Sequence, residues 1–547
     1  MQSLRPSPQI MEEMRLSSNV TGPEVLLQSQ SQEPAGSRLS YYLALLVALL
    51  VAYLMRPTTK ISVSAPFYKA SRMKWMFSAD TLVRDSYGKF RDRIYNIKAT
   101  EGLRTLIPVS LISELKGLPE EHLSAQEAIK EAMLLDYTNF GPGDHTNTFL
   151  FLMKTKLSQK LTRFILAKNR NSTLSSDKNS RNVKVRLRPE TESIFALHEI
   201  LTKPIDWTPM KLQPFMLRVI ARLSGSIFVG SELSRTEEWM ETSVTYAIHV
   251  FIAVVKLQFF PKWLRPVAKY LVSELGQSSR DLARGEAMLK PIIEERLQNE
   301  ELDPGCSQPD DFTQWLIDSL PENQKRDYAA QVKVQLALSA ASIHTTSNAV
   351  TDCFYDLAAH PEYQEILREE ANQVLVQDGG WDKSESMAKL QKLDSFMKES
   401  QRLAGNVTTF IRKVVKPDGL SLSDGTHLPV GTNLLAPLCG ISRDERYFPE
   451  PEVFDGLRFW KLRQRSADAA NRWQYTSITQ SNLDFGLGKH ACPGRFLAGN
   501  EIKLILANFL LHYDIKLKEG ECRPEPMMFM MSKSPNQKAE IMFRRRS

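Results

Sequence analysis

Apolar residues are distributed unevenly and divide the chain into three stretches. Residues 1–39 are rich in serine, glutamine and proline and have no helical apolar repeat, which is typical of a disordered tail. Residues 41–54 form an unbroken apolar run with tyrosines near both ends. From residue 57 onward, apolar and polar positions alternate with helical or strand periods and no clear linker interrupts them. We therefore expect one large folded domain over residues 57–547.

The apolar run indicates a membrane anchor over residues 40–56. It is short against the roughly 20 residues that span a bilayer, although Leu39 and Met55 extend it and its tyrosines suit the two interfaces. A cleaved signal peptide is the alternative, but such a peptide normally lies at the extreme N-terminus and ends in small residues. Basic residues follow the run, so the positive-inside rule predicts a luminal tail and a cytosolic body. Asn19, in an Asn-x-Thr sequon, is then a candidate for glycosylation.

Within the large domain, the pattern is mostly helical. Residues 327–357 are apolar nearly all round, which predicts a buried helix, and residues 495–510 predict another. The first of these helices contains the polar insert His344-Thr345-Thr346. Its simplest explanation is that the hydroxyls bond back to carbonyls one turn earlier. Residues 420–440 alternate and turn at two glycines, which indicates a small β region.

Composition narrows the function classes. Of the 547 residues, 42% are hydrophobic and 24% charged, which is ordinary for a globular protein. The net charge of +7 is mild, and the basic stretch 168–188 has no interleaved aromatic residues, so we expect no nucleic-acid partner. The five cysteines are odd in number and scattered, which argues against a disulfide framework and against a two-cysteine metal or redox motif.

The candidate chemistry lies in residues 485–494, with the sequence FGLGKHACPG. Its glycines allow a sharp turn that lies close against a flat object, and a predicted helix follows directly. Cys492 therefore sits just before a helix N-terminus, where the helix dipole favours a thiolate over a thiol. Such a thiolate could be a nucleophile, a redox centre or a metal ligand, and a structural buried cysteine is the plain alternative.

This ten-residue pattern resembles the haem-binding loop of the cytochrome P-450 monooxygenases. The resemblance implies that Cys492 is the axial thiolate ligand of the iron of haem b, and that Phe485 covers its sulfur. It also implies that His490 contacts a haem propionate and that Gly488 and Gly494 belong to the cofactor-binding loop.

Three further segments resemble the same family and follow in its order. Residues 342–346 are similar to the central helix that crosses the haem face, which places Thr345 on the threonine that helps deliver protons. Ser342 replaces the usual glycine and His344 the usual acid. Histidine can still carry a proton, but the replacement leaves the identity of the proton relay open.

The other two segments imply a charged cluster, and the residues between them imply a substrate cavity and a contact with a haem propionate. Glu399 and Arg402 are three residues apart on one helical face, and with Arg458 they would form a buried triad in which arginine forks hold the carboxylate. Arg412 would meet a haem propionate. The segment expected to point into the substrate cavity comprises Val407, Thr408, Thr409 and Phe410.

Taken together, the resemblance implies a P-450 fold, mainly α with small β-sheets, preceded by a single transmembrane helix. It implies a monooxygenase that uses O2 and electrons from NADPH through a membrane-bound reductase, since no dinucleotide fingerprint occurs in the chain. Residues 342–346 and 490–496 look most like fungal terpenoid-pathway enzymes of the ent-kaurene oxidase type. We expect an apolar terpenoid-type substrate, contact with membrane lipid and a location in the endoplasmic reticulum membrane. A haem-thiolate isomerase or dehydratase, or a non-enzymatic haem protein, are the alternatives.

Overall fold

The structure is a computed structural model that describes residues 63–100, 102–157, 206–380 and 385–546. It also describes positions 44, 45 and 48 of the apolar run, which are helical. The predicted tail, Asn19 and the rest of the predicted anchor lie outside the described residues. The chain divides into one unit of residues 1–58 and 259–264 and a second of residues 59–258 and 265–547. The second unit contains every predicted site residue from His344 onward.

The described part of the chain is mainly helical, as the sequence predicts. The α-helices are α1 Arg72–Phe77, α2 Ala79–Phe90, α3 Val109–Leu115, α4 Ala125–Met133, α5 Leu135–Thr138, α6 Thr146–Leu152, α7 Leu212–Phe228, α8 Ser231–Ser234, α9 Glu237–Phe259, α10 Arg265–Ala268, α11 Ser273–Leu302, α12 Phe312–Ser319, α13 Tyr328–Ala359, α14 Glu362–Ala371, α15 Ser386–Lys389, α16 Gln391–Ala404, α17 Leu438–Ile441, α18 Arg458–Arg463, α19 Ala467–Arg472 and α20 Arg495–His512.

The strands are short and form four small sheets. They are β1 Phe67–Tyr68, β2 Tyr95–Ala99, β3 Gly102–Leu106, β4 Leu123–Ser124, β5 Thr208–Lys211, β6 Thr409–Val414, β7 Leu420–Ser421, β8 His427–Leu428, β9 Asn433–Ala436, β10 Tyr513–Lys516, β11 Met527–Phe529, β12 Ser532–Ser534 and β13 Glu540–Arg545. The largest sheet has the order β1-β2-β3-β9-β6-β4 and the next β10-β13-β5, while β7-β8 and β11-β12 are two-stranded. The predicted β region at 420–440 corresponds to β7, β8 and β9, followed by the short helix α17.

The central helix α13 organises the helical layer. It begins where predicted, because the Asp327 side chain accepts a hydrogen bond of 3.0 Å from the Ala330 amide and caps the first turn. Most of its side chains are buried, as expected for a helix that is apolar nearly all round. It packs against α7, α11, α16 and α20. The helix therefore runs through the middle of this unit.

Helix α20 is fixed to the central helix by aromatic packing. The ring centroids of Phe354 on α13 and Phe509 on α20 lie 4.9 Å apart, edge to face, and Phe543 of β13 lies 5.5 Å from Phe509. Edge-to-face pairs of this kind stabilise a contact by about 0.5–1.5 kcal/mol beyond the area they bury. Since α20 begins three residues after Cys492, this packing holds the cysteine loop at a fixed place relative to α13.

Among the described residues, one helix is long and apolar enough to cross a membrane by length and composition. It is α9, Glu237–Phe259, and 44% of its apolar window is buried within the protein. Core helices pass the same test, so this is weak evidence for a membrane span. The predicted anchor at residues 40–56 is a different segment and stays a prediction.

Candidate active site

The cysteine loop closes on itself through its backbone. The Cys492 amide donates a hydrogen bond of 2.7 Å to the Phe485 carbonyl, which pairs the two ends of the loop. Gly486 and Gly488 turn the chain with φ of +73° and +67°, a region that favours glycine. The Lys489 ammonium donates to the Leu118 carbonyl at 3.0 Å and ties the loop to the turn after α3. The Phe485 ring packs edge to face on Tyr475, with centroids 5.4 Å apart.

The sulfur of Cys492 accepts hydrogen bonds from two backbone amides, and it is also buried. Burial raises the pKa of the Cys492 thiol, and this outweighs the hydrogen bonds from the Gly494 and Arg495 amides and the Arg495 charge, which lower it. The helix N-terminus alone therefore does not make the thiolate the favoured form. A bound metal cation would, since a coordinating thiol is deprotonated outright. Gly494 caps α20 with φ of −82°, so its own conformation does not require glycine.

Two side-chain nitrogens lie beside the loop, and only one of them already faces an anionic group of the protein. His490 Nε2 faces the Glu120 carboxylate, with 2.5 Å between Nε2 and Oε1, and Arg495 Nε has no hydrogen-bond partner among the described residues. Burial and the Arg412 charge lower the pKa of His490, and burial lowers the pKa of Arg412 to about 10. Buried polar groups are almost always paired. Arg495 Nε therefore fits an anionic group such as a carboxylate of a cofactor, whereas His490 Nε2 already faces the Glu120 carboxylate.

The central helix has one exposed strip in its middle. Ala341 and Thr345, one turn apart, are exposed, although Ala340, Ile343 and Thr346 beside them are buried. The Thr345 hydroxyl donates to the Ala341 carbonyl at 2.7 Å, which is the back-bonding that the simplest explanation of the polar insert predicts. The hydroxyl oxygen keeps its lone pairs free to accept a hydrogen bond.

His344 points away from that strip. Its Nε2 lies 3.2 Å from the Val244 carbonyl of α9, and burial lowers the pKa of the imidazole. A carbonyl can only accept, so the neutral ring must carry its proton on Nε2 and donate it to Val244. The side chain at the position of the family's usual acid is thus bound to the backbone of a neighbouring helix.

The predicted substrate segment lies at an irregular part of the largest sheet. The β6–β9 register shifts between Thr409 and Arg412, and Phe410 has φ of +55°, which is unusual for a bulky residue. The Phe410 ring is buried in a core cluster, with the Arg412 guanidinium 4.4 Å from its centroid. Val407 is also buried in a core cluster. The bulge therefore sets the direction of Arg412.

The structure brings Glu399, Arg402 and Arg458 together. Arg402 Nε and Nη2 each donate to a Glu399 oxygen at 2.8 Å, and Arg458 Nε lies 3.1 Å and 3.2 Å from the same two oxygens. The Asp455 amide adds a fourth donor to the carboxylate at 3.0 Å. Glu399 is fully buried.

Comparison with known proteins identifies the family. The family model for Cytochrome P450 matches residues 144–543. This chain belongs to the cytochrome P450 family. Cytochrome P450 monooxygenase AN1598 of Emericella nidulans is 35% identical over 522 residues, which cover 93% of each chain. Cytochrome P450 monooxygenase braC of Annulohypoxylon truncatum is 33% identical over 512 residues, or 91% of this chain and 96% of the relative.

A solved structure supports the fold independently. Retinoic acid bound cyanobacterial CYP120A1 aligns with a TM-score of 0.63 over 88% of this chain and 99% of that chain, at 17% identity. The predicted fold class, mainly helical with small sheets, is confirmed. So is the predicted enzyme class: this P450 is a haem-thiolate monooxygenase that acts on hydrophobic substrates and takes electrons from NADPH through a redox partner.

The residues present fit a haem with a single protein ligand. Among the described residues, no group of three or more His, Cys, Asp or Glu side chains could hold a metal ion, so a site built only from protein ligands does not occur there. The P450 loop instead provides one sulfur beside the buried Arg495 Nε, which suits a carboxylate. Sequence reasoning missed Glu120, Ser224 and Glu501 near this region. A signal for Glu501 existed, since it is an acid within the apolar stretch of α20.

Proposed function

We propose that this P450 oxidises an apolar terpenoid-type substrate of secondary metabolism, at the endoplasmic reticulum membrane, with an NADPH–cytochrome reductase as its electron donor. Cys492 is the thiolate ligand of the haem iron in this proposal. The observation that carries it is the cysteine loop, in which one sulfur accepts hydrogen bonds from backbone amides beside Arg495 Nε, a nitrogen without a hydrogen-bond partner among the described residues. When bound, the haem supplies the oxidising chemistry, because a thiolate ligand favours O–O cleavage.

The chain's own residues hold the cofactor and the substrate in this proposal. His490 and Arg412 bind the haem propionates, His490 through a ring N–H and Arg412 through its charge, and burial makes the charged contact stronger than it would be in water. Thr345 presents its hydroxyl oxygen on the exposed strip of α13, where it orients a proton donor. Phe485 shields the sulfur from water, Gly488 lets the loop turn with its positive φ, and Gly494 places no side chain beside the Cys492 sulfur.

The chemistry of the predicted substrate segment supports an apolar ligand. The Thr408 hydroxyl donates to the Met531 sulfur at 3.1 Å and the Thr409 hydroxyl to the Leu483 carbonyl at 3.1 Å. Their donor protons are therefore used within the protein and are not free to bind a polar substrate. No titratable side chain occurs in residues 407–410. The likeness to the ent-kaurene oxidase type favours a terpenoid, whose surface is hydrocarbon.

The membrane part of the proposal rests on the apolar run at 40–56 and the basic residues that follow it. This topology places the tail in the lumen, where Asn19 can be glycosylated, and the P450 domain in the cytosol beside the reductase. We expect glycosidase treatment to shift the electrophoretic mobility of the wild-type protein. Asn19→Gln should abolish that shift, and an unchanged mobility in both proteins would contradict a luminal tail.

Product analysis tests the substrate class. Cells that carry the full chain and a reductase are fed candidate terpenoids, and their extracts are compared by mass spectrometry with cells that carry Cys492→Ser. We expect a product one oxygen heavier in the wild type alone. The turnover should require NADPH, which also separates this activity from that of an isomerase or dehydratase. Oxidation of non-terpenoid substrates only would overturn the terpenoid assignment.

A further inference from the structure

Two buried charged side chains of α16 hold the stretch of chain between α19 and the cysteine loop. The Asp394 carboxylate is 4% exposed and accepts a hydrogen bond of 2.7 Å from the Tyr475 amide. One turn later on α16, the Lys398 ammonium donates to the Gln474 carbonyl at 2.8 Å and to the Ser477 carbonyl at 3.3 Å. Lys398 is 1% exposed, so buried charges hold the backbone on both sides of Tyr475.

Asp394 also connects this stretch to the helix that follows the cysteine loop. Its Oδ1 lies 2.5 Å from the Lys503 ammonium of α20, and its Oδ2 accepts a hydrogen bond of 3.2 Å from Arg463 of α18. Charge-assisted hydrogen bonds are roughly twice as strong as neutral ones, so three partners hold this carboxylate firmly. The backbone at Tyr475 is therefore fixed relative to the helix that begins just after Cys492.

The Tyr475 ring contacts both α20 and the phenylalanine of the cysteine loop. The side chain is 2% exposed, and its ring centroid lies 5.4 Å from that of Phe485, edge to face at 84°. The ring also lies against Gly499 of α20, where a Cβ atom would be only 3.2 Å from Tyr475 Cδ1. Helix interiors disfavour glycine, but at position 499 its missing side chain makes room for the ring.

Phe485 connects Tyr475 to the surroundings of the sulfur. The Phe485 carbonyl accepts the hydrogen bond of the Cys492 amide at 2.7 Å, so the two residues are paired across the loop. Burial raises the pKa of the Tyr475 phenol well above its usual value, and nearby groups that include Cys492 add to the rise. Electrostatic effects of this kind weaken with distance, so Tyr475 lies near the sulfur as well as near Phe485.

The hydration of a thiolate ligand changes what it does to a metal. Water that reaches the sulfur donates hydrogen bonds to it and withdraws the electron density that the sulfur would give to iron. The apolar shell around a metal site controls this access, and through it the reduction potential. A side chain that keeps an aromatic ring beside the sulfur can therefore influence the metal without touching it.

We propose that Tyr475 is a positioning residue for the thiolate ligand. Its ring, fixed by the Asp394 hydrogen bond and the space at Gly499, holds Phe485 beside the Cys492 sulfur and keeps water away from it. This role rests on the proposed function, in which Cys492 is the ligand of the haem iron. It adds a residue outside the ten-residue loop that influences the reduction potential, and it requires the ring of Tyr475 but not the hydroxyl.

The test compares Tyr475→Leu and Tyr475→Phe with Trp473→Leu in the full-length haem protein. Leucine removes the aromatic support, whereas phenylalanine keeps the ring and removes only the hydroxyl. Trp473 is the matched control, because it lies two residues away and its ring packs on Phe459, with centroids 6.0 Å apart. Gly499→Ala displaces the Tyr475 ring without removing it, and it replaces Tyr475→Leu if that variant takes up no haem.

The first readout is the reduction potential of the haem iron, measured by spectroelectrochemical titration. Water at the sulfur weakens its electron donation and so favours ferrous iron. Tyr475→Leu should therefore raise the ratio of ferrous to ferric haem at a fixed potential on the order of tenfold, a shift of about 59 mV for one electron. Gly499→Ala should shift the potential in the same direction by less. Tyr475→Phe and Trp473→Leu should match the wild type.

The second readout is the carbon-monoxide difference spectrum of the reduced protein, in which a thiolate-ligated iron gives a shifted band. Tyr475→Leu should lose part of that band, because water that reaches the sulfur can protonate it. An unchanged potential and band in Tyr475→Leu with full haem, or an equal change in Tyr475→Phe or Trp473→Leu, would overturn the proposal. A wild-type protein without the shifted band would instead overturn the ligand assignment, so the two failures are distinguishable.

Discussion

The buried triad gives the sharpest stability prediction, through Glu399→Ala. The substitution removes the carboxylate that accepts from Arg402, Arg458 and the Asp455 amide, and leaves two guanidinium groups without their counter-charge. Hydrogen bonds to charged groups contribute about 1.5–3 kcal/mol each, so four lost donors set an upper bound of roughly 6–12 kcal/mol.

The actual loss should be smaller, because both arginines keep other acceptors. Arg402 Nη1 donates to the Ser442 and Pro451 carbonyls at 2.7 Å, and Arg458 Nη2 to the Val453 carbonyl at 2.9 Å. We therefore expect the free energy of unfolding to fall by about 3–5 kcal/mol, as is typical when one partner of a buried ion pair is removed. A domain with about 5–15 kcal/mol of total stability should then lose much of its haem.

Urea unfolding followed by circular dichroism measures the loss, and the carbon-monoxide difference spectrum measures bound haem. Glu237→Ala is the matched control, since Arg218 holds Glu237 with two contacts of 2.6 Å at the protein surface. Exposed pairs typically contribute about 0–1 kcal/mol, so this variant should be nearly normal. If the free energy of unfolding of Glu399→Ala lies within about 1 kcal/mol of that of Glu237→Ala, and the variant binds as much haem as the wild type, the argument from burial is wrong.

Two further predictions concern single residues. Cys492→Ser should keep the fold but lose the shifted carbon-monoxide band, because the hard oxygen of serine does not replace a soft thiolate sulfur as an iron ligand. A normal band in this variant would show that Cys492 is not the ligand. Glu501→Gln should change how stability depends on pH. The folded pKa of Glu501, about 8, is raised above its unfolded value of 4.5, so wild-type stability declines as pH rises through this window. The variant lacks that decline. Urea unfolding should therefore show that the free energy of unfolding falls from about pH 5 to about pH 7.5 more in the wild type than in the variant. An equal change in both proteins would mean that the pKa of Glu501 is not raised in the folded protein.

Local features could be predicted from the sequence because their causes are local. The central helix, expected at 327–357, is observed as Tyr328–Ala359, since both its apolar repeat and its Asp327 cap are encoded within the segment. The spacing of Glu399 and Arg402 likewise predicts a shared face, and the structure gives two contacts of 2.8 Å. That Arg458 is the third member of the triad could be predicted only from the family resemblance, because no local sequence pattern connects it with the helix of Glu399 and Arg402.

The rest depends on contacts between distant segments. The left-handed backbone of Phe410 arises from the register shift between β6 and β9, and neither strand alone predicts it. His490, which is predicted to contact a haem propionate, lies 2.5 Å from Glu120 of the turn before β4, and the sequence gives no sign of that neighbour. The side-chain direction of His344 depends on a carbonyl of α9. Sequence spacing therefore predicts which residues belong to the site, whereas tertiary packing determines which hydrogen-bonding groups of those residues are already paired within the protein.

Two buried carboxylates illustrate how the surroundings separate a structural role from a chemical one. Glu399 accepts hydrogen bonds from four N–H donors, three of which belong to the cations Arg402 and Arg458. Protonation of Glu399 would weaken these charge-assisted hydrogen bonds and is therefore unfavourable. Glu501 has one neutral donor, and its charged form is the costly one, so a proton can leave and return near neutral pH. Removing the charge of Glu399 should therefore damage the fold, whereas Glu501→Gln replaces one neutral buried group with another and should leave the fold intact. If Glu399→Gln slowed turnover at full stability while Glu501→Gln mainly unfolded the protein, charge compensation would not be what distinguishes the two sites.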